Sequence, residues 1–301
     1  MASDDGENWI GIIRGMKWLR YAALGLVLST VVMVPSALAQ LVAAKDGPVV
    51  YGHHHLNVTS IDAHRKFWVD TLGGKLVKVG TSPNEIVMFP NVLVFLRQQA
   101  PTGGTKGTTV NHIAFAVKDV RQMKDRAKAA GYQIVTNEEA GAGDVITDDV
   151  SFNKAQGSYS AFVMGPDDIK VQLYEVKDST APIALHHVHF AGPATEMRDW
   201  YEKEFGAKPA ARGTFISAAL PGVELTFAPS TTPVAPTRGR VLDHIGFEVK
   251  NLEAFLKKLE SDGVKVDRPY TKVAALNIAI AFIYDPWGTY IELTEGLDQV
   301  R

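Results

Sequence analysis

The sequence has 301 residues, of which 46% are hydrophobic and 21% are charged. This is the composition of a globular protein, and the length leaves room for one large domain or two ordinary ones. The 31 basic and 33 acidic residues form no basic block. Electrostatic binding to nucleic acid is therefore excluded, and a small-molecule substrate is favoured. The sequence has no cysteine, so disulfides, thiolate metal sites and iron–sulfur clusters are excluded, and a bound metal needs nitrogen and oxygen ligands.

Residues 1–39 have the pattern of a secretory signal peptide. Three basic residues, Arg14, Lys17 and Arg20, precede an apolar stretch at 21–34, and a small-residue sequence ends at Ala39. The apolar stretch is shorter than the ~20 residues that a membrane span needs. We therefore expect cleavage near Ala39, no membrane association afterwards, and a periplasmic or secreted protein.

Four segments of the sequence share one pattern, in which a histidine opens a predicted strand. A polar turn and an amphipathic helical stretch follow, and each helix is predicted to end at a glycine in the left-handed conformation. The histidine and the glycine lie 20 residues apart in the first copy and 19 apart in the other three. These pairs are His53 and Gly73, His112 and Gly131, His187 and Gly206, and His244 and Gly263. Strand-like runs follow each glycine, so the predicted unit is a strand, a helix and two or three further strands.

The spacing of the copies predicts their grouping. The leading histidines of the first and third copies lie 134 residues apart, and those of the second and fourth lie 132 apart. This periodicity indicates two tandem pairs of units. We therefore expect an α+β protein with an N-terminal domain at 40–178 and a C-terminal domain at 183–298.

Two glutamates recur at matching positions in the second half. Glu224 and Glu292 each lie between apolar residues and are followed by Leu-Thr in predicted strands. An ionised carboxylate is almost never buried unpaired, because its removal from water costs several kcal/mol. A divalent cation shared with the leading His187 and His244 would satisfy both carboxylates. The alternative is that each glutamate faces solvent on its strand.

Two stretches carry a resemblance to a known family. They are DHIGFEV at residues 243–249 and DPWGTYIEL at residues 285–293. With the repeat, they resemble the vicinal oxygen chelate superfamily, which contains glyoxalase I, methylmalonyl-CoA epimerase, bleomycin resistance proteins and extradiol dioxygenases. The resemblance covers nearly all of the mature chain. It implies βαβββ units, two of which close into a cupped sheet around a metal.

The resemblance also implies a ligand set, because the family's metal ligands come from the first and last strands of each unit. The second-half positions are His187, Glu224, His244 and Glu292, and the first-half positions are His53, Val94, His112 and Gln172. Valine cannot bind a metal, and glutamine is a weak ligand. We therefore predict a zinc, nickel, iron or manganese ion in the C-terminal domain and a degenerate site in the N-terminal domain.

The triple histidine at 53–55 leaves a second metal site open. Strand residues two apart face the same side, so the side chains of His53 and His55 lie on the same face of the strand. With His112 they would form a three-ligand site of the kind that catalytic metals prefer. His189 follows His187 by two residues, as His55 follows His53. We expect His189 to be a proton carrier in the pocket or a group that supports the ligands.

Glu224 as a fourth ligand favours glyoxalase-type or epimerase-type chemistry, in which Glu224 or Glu292 moves a proton beside a metal-polarised oxygen. The expected activity is therefore that of a lyase or isomerase on a small oxygen-chelating substrate, and the sequence also allows a homodimer. An iron-dependent extradiol dioxygenase is the second hypothesis, although this sequence has no histidine between His244 and Glu292 to act as acid and base. The third hypothesis is a metal-free binding protein that resembles the bleomycin resistance proteins.

Overall fold

A computed structural model of the chain describes residues 49–297. The predicted signal peptide at 1–39 lies outside these residues. Within residues 49–297, no helix is long and apolar enough to cross a membrane. The same residues contain the four predicted units in order, each opening on the strand that carries its histidine.

The first half of the described chain contains two units of unequal length. The first unit consists of β1 (Val49–Val58), α1 (Ile61–Arg65), a π-helical segment (Lys66–Thr71), β2 (Lys75–Val77), β3 (Glu85–Phe89) and β4 (Val92–Gln98). The second unit consists of β5 (Val110–Val117), α2 (Val120–Ala129), β6 (Gln133–Ile134), α3 (Thr136–Glu139), β7 (Val145–Thr147), β8 (Val150–Asn153), β9 (Ser158–Met164), a 3₁₀ turn (Pro166–Asp168) and β10 (Lys170–Glu175).

The second half contains two more regular units. The third unit consists of β11 (Ile183–Gly192), α4 (Ala194–Phe205), β12 (Lys208–Arg212), β13 (Phe215–Leu220) and β14 (Val223–Pro229). The fourth unit consists of β15 (Leu242–Val249), α5 (Leu252–Ser261), β16 (Val266–Val273), β17 (Ile278–Tyr284) and β18 (Tyr290–Glu295). The glycines predicted to end the helices all have positive φ, namely Gly73, Gly131, Gly206 and Gly263. The predicted βαβββ unit is therefore confirmed.

The strands form two sheets, and the units pair differently from the predicted domains. The first sheet has eight strands in the order β16-β17-β18-β15-β1-β4-β3-β2, so it joins the first unit to the fourth. The second sheet joins the second unit to the third in the order β12-β13-β14-β11-β5-β10-β9-β8-β7, with β6 beside β9. The boundaries 40–178 and 183–298 therefore describe the order of units along the chain and not the composition of the sheets. The sequence could not decide this, because all four leading strands carry the same pattern.

The leading strands meet at the centre of each sheet. β1 runs antiparallel to β15, and β11 runs antiparallel to β5. The facing pairs are His53 with Gly246 and His55 with His244 in the first sheet, and His187 with Ala114 and His189 with His112 in the second. The last strand of each unit lies parallel beside its leading strand, so side chains from both strands gather on one face.

Aromatic side chains connect the two sheets. Tyr201 on α4 contacts Phe247 of the first sheet and Phe227 of the second. Trp68, in the segment after α1, contacts both sheets in the same way. One hydrophobic core therefore contains residues of both sheets and their helices, and it holds the two sheets in one body.

The three consecutive histidines of β1 alternate between the two faces of the strand. His54 points into the core, where its Nδ1 lies 2.9 Å from the hydroxyl oxygen of Tyr51. Burial lowers the pKa of His54 to about 3, so its imidazole is neutral at ordinary pH. His53 and His55 point to the opposite face. His54 is therefore a core residue, and its two neighbours face the candidate site.

Candidate metal centres

Two histidines and a glutamate, which we call the first site, lie together on the first sheet. Oε2 of Glu292 lies 2.9 Å from Nε2 of His53 and 2.9 Å from Nε2 of His244. All three side chains are buried or nearly so, and one ligand atom from each lies within 4.8 Å of the others. Two imidazole nitrogens and a carboxylate oxygen suit iron, manganese, nickel or zinc. The first site therefore fits a divalent metal.

The charges of the first site are strongly coupled. Burial raises the pKa of Glu292, but hydrogen bonds from His244 and His53 outweigh this effect and hold the pKa well below its usual range. Burial lowers the pKa of His244, but its hydrogen bonds to Asp243 and Glu292 raise it above 6.5 overall. An ionised carboxylate therefore lies between two imidazoles, and a metal bound there would replace the protons that the imidazoles share with it.

Asp243 fixes the orientation of the His244 ring. Its Oδ1 lies 2.7 Å from Nδ1 of His244, and its Oδ2 accepts hydrogen bonds from the backbone N–H of Gly239 at 2.8 Å and the side-chain amide of Asn57 at 3.0 Å. When Nδ1–H of His244 donates to Asp243, Nε2 keeps its lone pair for a metal. A carboxylate behind a metal-binding histidine is a common support for such a ligand.

Gly246 gives the ring of His53 its space. A Cβ atom on Gly246 would lie 2.0 Å from Cε1, 2.2 Å from Nδ1 and 2.4 Å from Nε2 of His53. No side chain other than that of glycine can therefore occupy this position while His53 keeps its contact with Glu292.

Two cavities adjoin the first site. The larger has a volume of about 420 Å³, and its lining includes His55, His244 and Glu292. The smaller has a volume of about 150 Å³, and its lining is mainly apolar, with Phe95 and Ile278 beside His53, His55 and Glu292. His55 and Glu292 line both cavities, so a molecule that occupies either cavity lies next to the predicted metal ligands.

His55 is placed to exchange a proton with such a molecule. Its ring centre lies 4.5 Å from that of His244. Burial, and then the neighbouring His244, lower the pKa of His55 well below 6.5, so the imidazole is neutral. Its Nε2 is buried and has no hydrogen-bond partner among residues 49–297. A neutral imidazole with an unused nitrogen can accept a proton.

Three arginines make the larger cavity basic. They are Arg97, Arg238 and Arg268. The carboxylates in the lining are Asp243 and Glu292, and both contact His244. Arg268 is exposed and stacks on the ring of Phe282, with its guanidinium carbon 5.3 Å from the ring centre. Arg97 lies 3.5 Å from Asp243 and Arg238 lies 3.3 Å from Asp267, so the positive charge that favours an anionic ligand lies mainly at Arg268.

A second cluster, which we call the second site, consists of His112, His187 and His189 on the second sheet. One nitrogen atom from each ring lies within 4.8 Å of the others. Burial is the largest cause that lowers the pKa of each of the three, so all three imidazoles are neutral at ordinary pH. Oε1 of Gln172 lies 3.2 Å from Nε2 of His112, at the position where the first sheet has Glu292.

Glu224 lies near the second site but is paired with an arginine. Its Oε1 lies 2.7 Å from Nε of Arg212 and accepts a hydrogen bond from the Thr226 hydroxyl at 3.1 Å. Arg212 is largely buried and also donates to Thr226. Arg212 therefore supplies the compensating charge that the sequence attributed to a metal.

The structure divides the four predicted metal ligands between the two sheets. His187 and Glu224 are neighbours on the second sheet, and His244 and Glu292 lie with His53 on the first. The expected set of His187, Glu224, His244 and Glu292 is corrected in this respect, because the third unit pairs with the second unit and not with the fourth.

The predicted three-histidine alternative is divided in the same way. His53 and His55 lie on β1 of the first sheet, whereas His112 lies on β5 of the second. His112 instead stacks on His189, with ring centres 4.4 Å apart. His189, predicted as a proton carrier or supporting group, is thus part of the second site.

The register also corrects the equivalence between Val94 and Glu224. His187 lies beside Glu224 across a parallel strand pair, and His53 lies beside Leu93 in the same arrangement. Val94 lies beside His54, and it belongs to the hydrophobic core. Leucine binds no metal either, so His53 is the one metal ligand that the first unit contributes to the described first site.

The sequence did not predict several features of the first site. His53 was expected in a degenerate half or in a set with His55 and His112, and Asp243, Gly246 and the arginines of the larger cavity had no predicted role. Two signals were available within the DHIGFEV segment: an acidic residue directly before the leading His244, and a glycine two residues after it. The arginines had no such signal, because they come from separate strands and a loop.

Comparison with known proteins places the chain in a family. The family described as Glyoxalase/Bleomycin resistance protein/Dioxygenase superfamily matches residues 50–150 and 184–293, which together make up more than half of the chain. No curated protein matches the sequence.

Solved structures with the same fold include an enzyme from maize and a bacterial protein. Glyoxalase I from Zea mays matches with a TM-score of 0.65 and 20% identity over 85% of this chain and 95% of that chain. A protein from Bacillus subtilis, described as a proposed dioxygenase, matches with a TM-score of 0.58 and 14% identity over 82% of this chain and 84% of that chain. These identities establish the fold alone. The chain is therefore a tandem-domain member of the Glyoxalase/Bleomycin resistance protein/Dioxygenase superfamily.

Proposed function

We propose that the protein is a divalent-metal-dependent enzyme that acts on a small anionic molecule able to chelate a metal through oxygen. The observation that carries the proposal is the contact of one carboxylate oxygen of Glu292 with Nε2 of both His53 and His244, at 2.9 Å each. A bound divalent metal would act there as a Lewis acid toward the oxygens of the substrate. Asp243 would hold His244 in the tautomer that a metal requires.

The number of protein ligands favours an oxygenase. Two histidines and one carboxylate with open positions form the ligand set of non-haem iron oxygenases. Glu224, whose predicted role as a fourth ligand favoured glyoxalase-type chemistry, is paired with Arg212 on the other sheet. His55 supplies the acid–base histidine that the segment between His244 and Glu292 lacks, because it reaches the site from β1. We therefore favour iron as the metal and a ring-cleaving dioxygenase as the activity.

Metal-assisted proton transfer is the second candidate, and the position of His55 favours it. The unused Nε2 of His55 borders both cavities and could take a proton from a bound substrate. Glu292 is less available as a base, because its Oε2 already contacts Nε2 of His53 and Nε2 of His244. This candidate keeps the lyase or isomerase activity but moves the proton through a histidine.

The cavities define the class of substrate. The arginines of the larger cavity favour a carboxylate or another anionic group, and the apolar lining of the smaller cavity favours a hydrocarbon or aromatic part. A catechol that carries a carboxylate side chain combines both with two oxygens that chelate a metal.

Metal analysis and two assays test the proposal. The purified mature chain should contain about one metal ion that His244→Ala or Glu292→Gln removes from the first site. An iron-loaded chain that consumes oxygen with carboxylated catechols supports the dioxygenase. Solvent deuterium incorporation into an anionic 2-hydroxy ketone, with no oxygen uptake, supports proton transfer. A chain that binds such compounds equally well after either substitution, without a metal and without turnover, contradicts both and indicates a binding protein.

We also propose that the protein is exported to the periplasm or secreted. The support is the sequence of basic residues, apolar stretch and small residues that ends at Ala39. N-terminal sequencing of the protein from fractionated cells tests this: a start near Gln40 in the exported fraction is expected, and an intact N-terminus in the cytoplasm would contradict it.

A further inference from the structure

The proposed function uses only the first sheet, yet the second sheet carries three clustered histidines at the corresponding strands. One nitrogen each of His112, His187 and His189 lies within 4.8 Å of the others. We propose that these three histidines bind a second divalent metal ion, such as Zn²⁺, and leave a fourth coordination position open to the adjoining cavity. Three imidazoles with an open position form a known arrangement for zinc.

His112 and His187 can each present Nε2 to a metal. Nδ1 of His112 lies 3.0 Å from Oδ1 of Asn111, so Nδ1–H can donate to that oxygen, and a metal on Nε2 would replace its 3.2 Å contact with Oε1 of Gln172. Nδ1 of His187 lies 2.8 Å from Nδ1 of His186, and with the hydrogen on His187 its Nε2 also carries a lone pair. This Nε2 is fully buried and has no hydrogen-bond partner among residues 49–297. A buried nitrogen without a partner is unfavourable unless a ligand satisfies it.

His189 completes the set in place of a carboxylate. Its ring stacks on that of His112 with centres 4.4 Å apart and planes inclined by 25°. The glutamate of this unit, Glu224, is paired with Arg212, and Gln172 is a weak ligand. The second site would therefore depend on a histidine two residues further along the leading strand, which changes its ligand set from that of the first site.

The two cationic side chains beside the second site each pair with a carboxylate, which reduces their repulsion of a metal ion. The guanidinium of Arg212 is paired with Glu224, and the ammonium of Lys170 is paired with Glu139. Three neutral imidazoles add no charge of their own, so this site suits a softer ion than the carboxylate-containing first site. A cavity of about 200 Å³, whose lining includes His112 and His189, leaves room for water or an anion at the fourth position.

Zinc titration of variants that lack the first site tests the proposal. The background is the double variant His53→Ala/Glu292→Gln, which removes two of the three ligands of the first site. Isothermal titration of this metal-free variant with Zn²⁺ should still show about one binding event. Adding His189→Ala should abolish it, whereas adding Gln172→Ala should preserve it, because Gln172 contacts His112 without serving as a ligand.

Each outcome of the zinc titration either supports or contradicts the three-histidine site. If the background variant binds no zinc, or if the His189→Ala variant still binds it, the second site is not the proposed three-histidine site. If the background variant does not fold, crystals of the unmodified chain soaked in zinc give the answer through anomalous scattering. A peak among His112, His187 and His189 supports the proposal, and an empty second site contradicts it. The metal of the first site is read separately, from the difference between the unmodified chain and the background.

Discussion

The first and second sites occupy corresponding positions on two sheets built from the same unit. A different glutamate lies at each site. In the first site Glu292 contacts two histidines, and Leu93 stands where the second sheet has Glu224. In the second site Gln172 replaces the carboxylate of Glu292, and Glu224 pairs with Arg212. One repeat has therefore produced a site with a charged ligand and a site with three neutral ligands.

Two smaller differences between the sites also favour tighter metal binding at the first site. His53 faces Gly246 and so approaches Glu292, whereas its counterpart His187 faces Ala114 and contacts His186. The residue before the other ligand also differs: Asp243 supports His244, and Asn111 supports His112. A carboxylate behind a histidine increases its affinity for a cation more than a neutral amide does. The first site is thus adapted for tighter binding of a hard divalent ion.

The largest effect should follow the removal of the first-site carboxylate. Glu292→Gln keeps the size of the side chain but removes the only negative ligand, so metal affinity and turnover should each fall by about 100-fold or more, beyond what loss of a supporting group causes. Competition titration with a chelator measures the affinity. Glu224→Gln is the matched control on the second sheet, and it should leave the first-site metal in place. An equal loss in both variants would contradict the division of the glutamates.

Gly246→Ala should impair the first site without changing any ligand. The new Cβ would collide with the ring of His53, so the ring must move away from Glu292 and metal affinity should fall roughly 10-fold to 100-fold. The control is Ala114→Gly at the facing position of the second sheet, which should not affect the first site. Unchanged metal affinity in Gly246→Ala would show that His53 is not a ligand.

Asp243→Asn should have a moderate effect, because the amide oxygen can still accept from Nδ1 of His244, while the charge and the acceptor for Gly239 and Asn57 are lost. We expect about a 10-fold loss of metal affinity at the first site. The reciprocal change, Asn111→Asp, should strengthen zinc binding at the second site by a few-fold, roughly the contribution of one charge-assisted hydrogen bond. Titrations of both variants compare the two supports directly. Unchanged affinity in Asp243→Asn, or weaker zinc binding in Asn111→Asp, would contradict the role assigned to the supporting side chain.

Arg268→Gln should have the smallest effect, since Arg268 is exposed on the rim of the larger cavity. For an anionic substrate, KM should rise by roughly 2-fold to 5-fold with kcat little changed, because an exposed charge contributes at most about 1 kcal/mol. Arg198→Gln on α4 is the control, since Arg198 pairs with Asp199 and lines neither cavity of the first site. A larger change in kcat than in KM would place Arg268 in the chemistry and not in binding.

The sequence predicted the unit, the helix ends and the family, because these depend on local patterns. The glycines at 73, 131, 206 and 263 could be identified as helix ends from their spacing alone. His244 and Glu292 could be identified as a ligand pair because they belong to one unit and lie on neighbouring parallel strands. These features need no knowledge of which units pair.

The sequence did not predict which histidine completes the first site. His187 and His53 open equivalent strands, and only the pairing of β1 with β15 shows that His53 is the partner of His244. The role of Glu224 was likewise hidden, because Arg212 lies 12 residues earlier on another strand and has no pattern that marks it as a partner. Long-range pairing of similar strands therefore limited the prediction of the site.

Anomalous X-ray scattering from crystals grown with iron or manganese tests the central claim most directly. The account predicts a metal peak in contact with Nε2 of His53, Nε2 of His244 and the carboxylate of Glu292, and loss of this peak in Glu292→Gln crystals. A chain with no metal at these three residues, or with metal bound there equally in the Glu292→Gln variant, would contradict it.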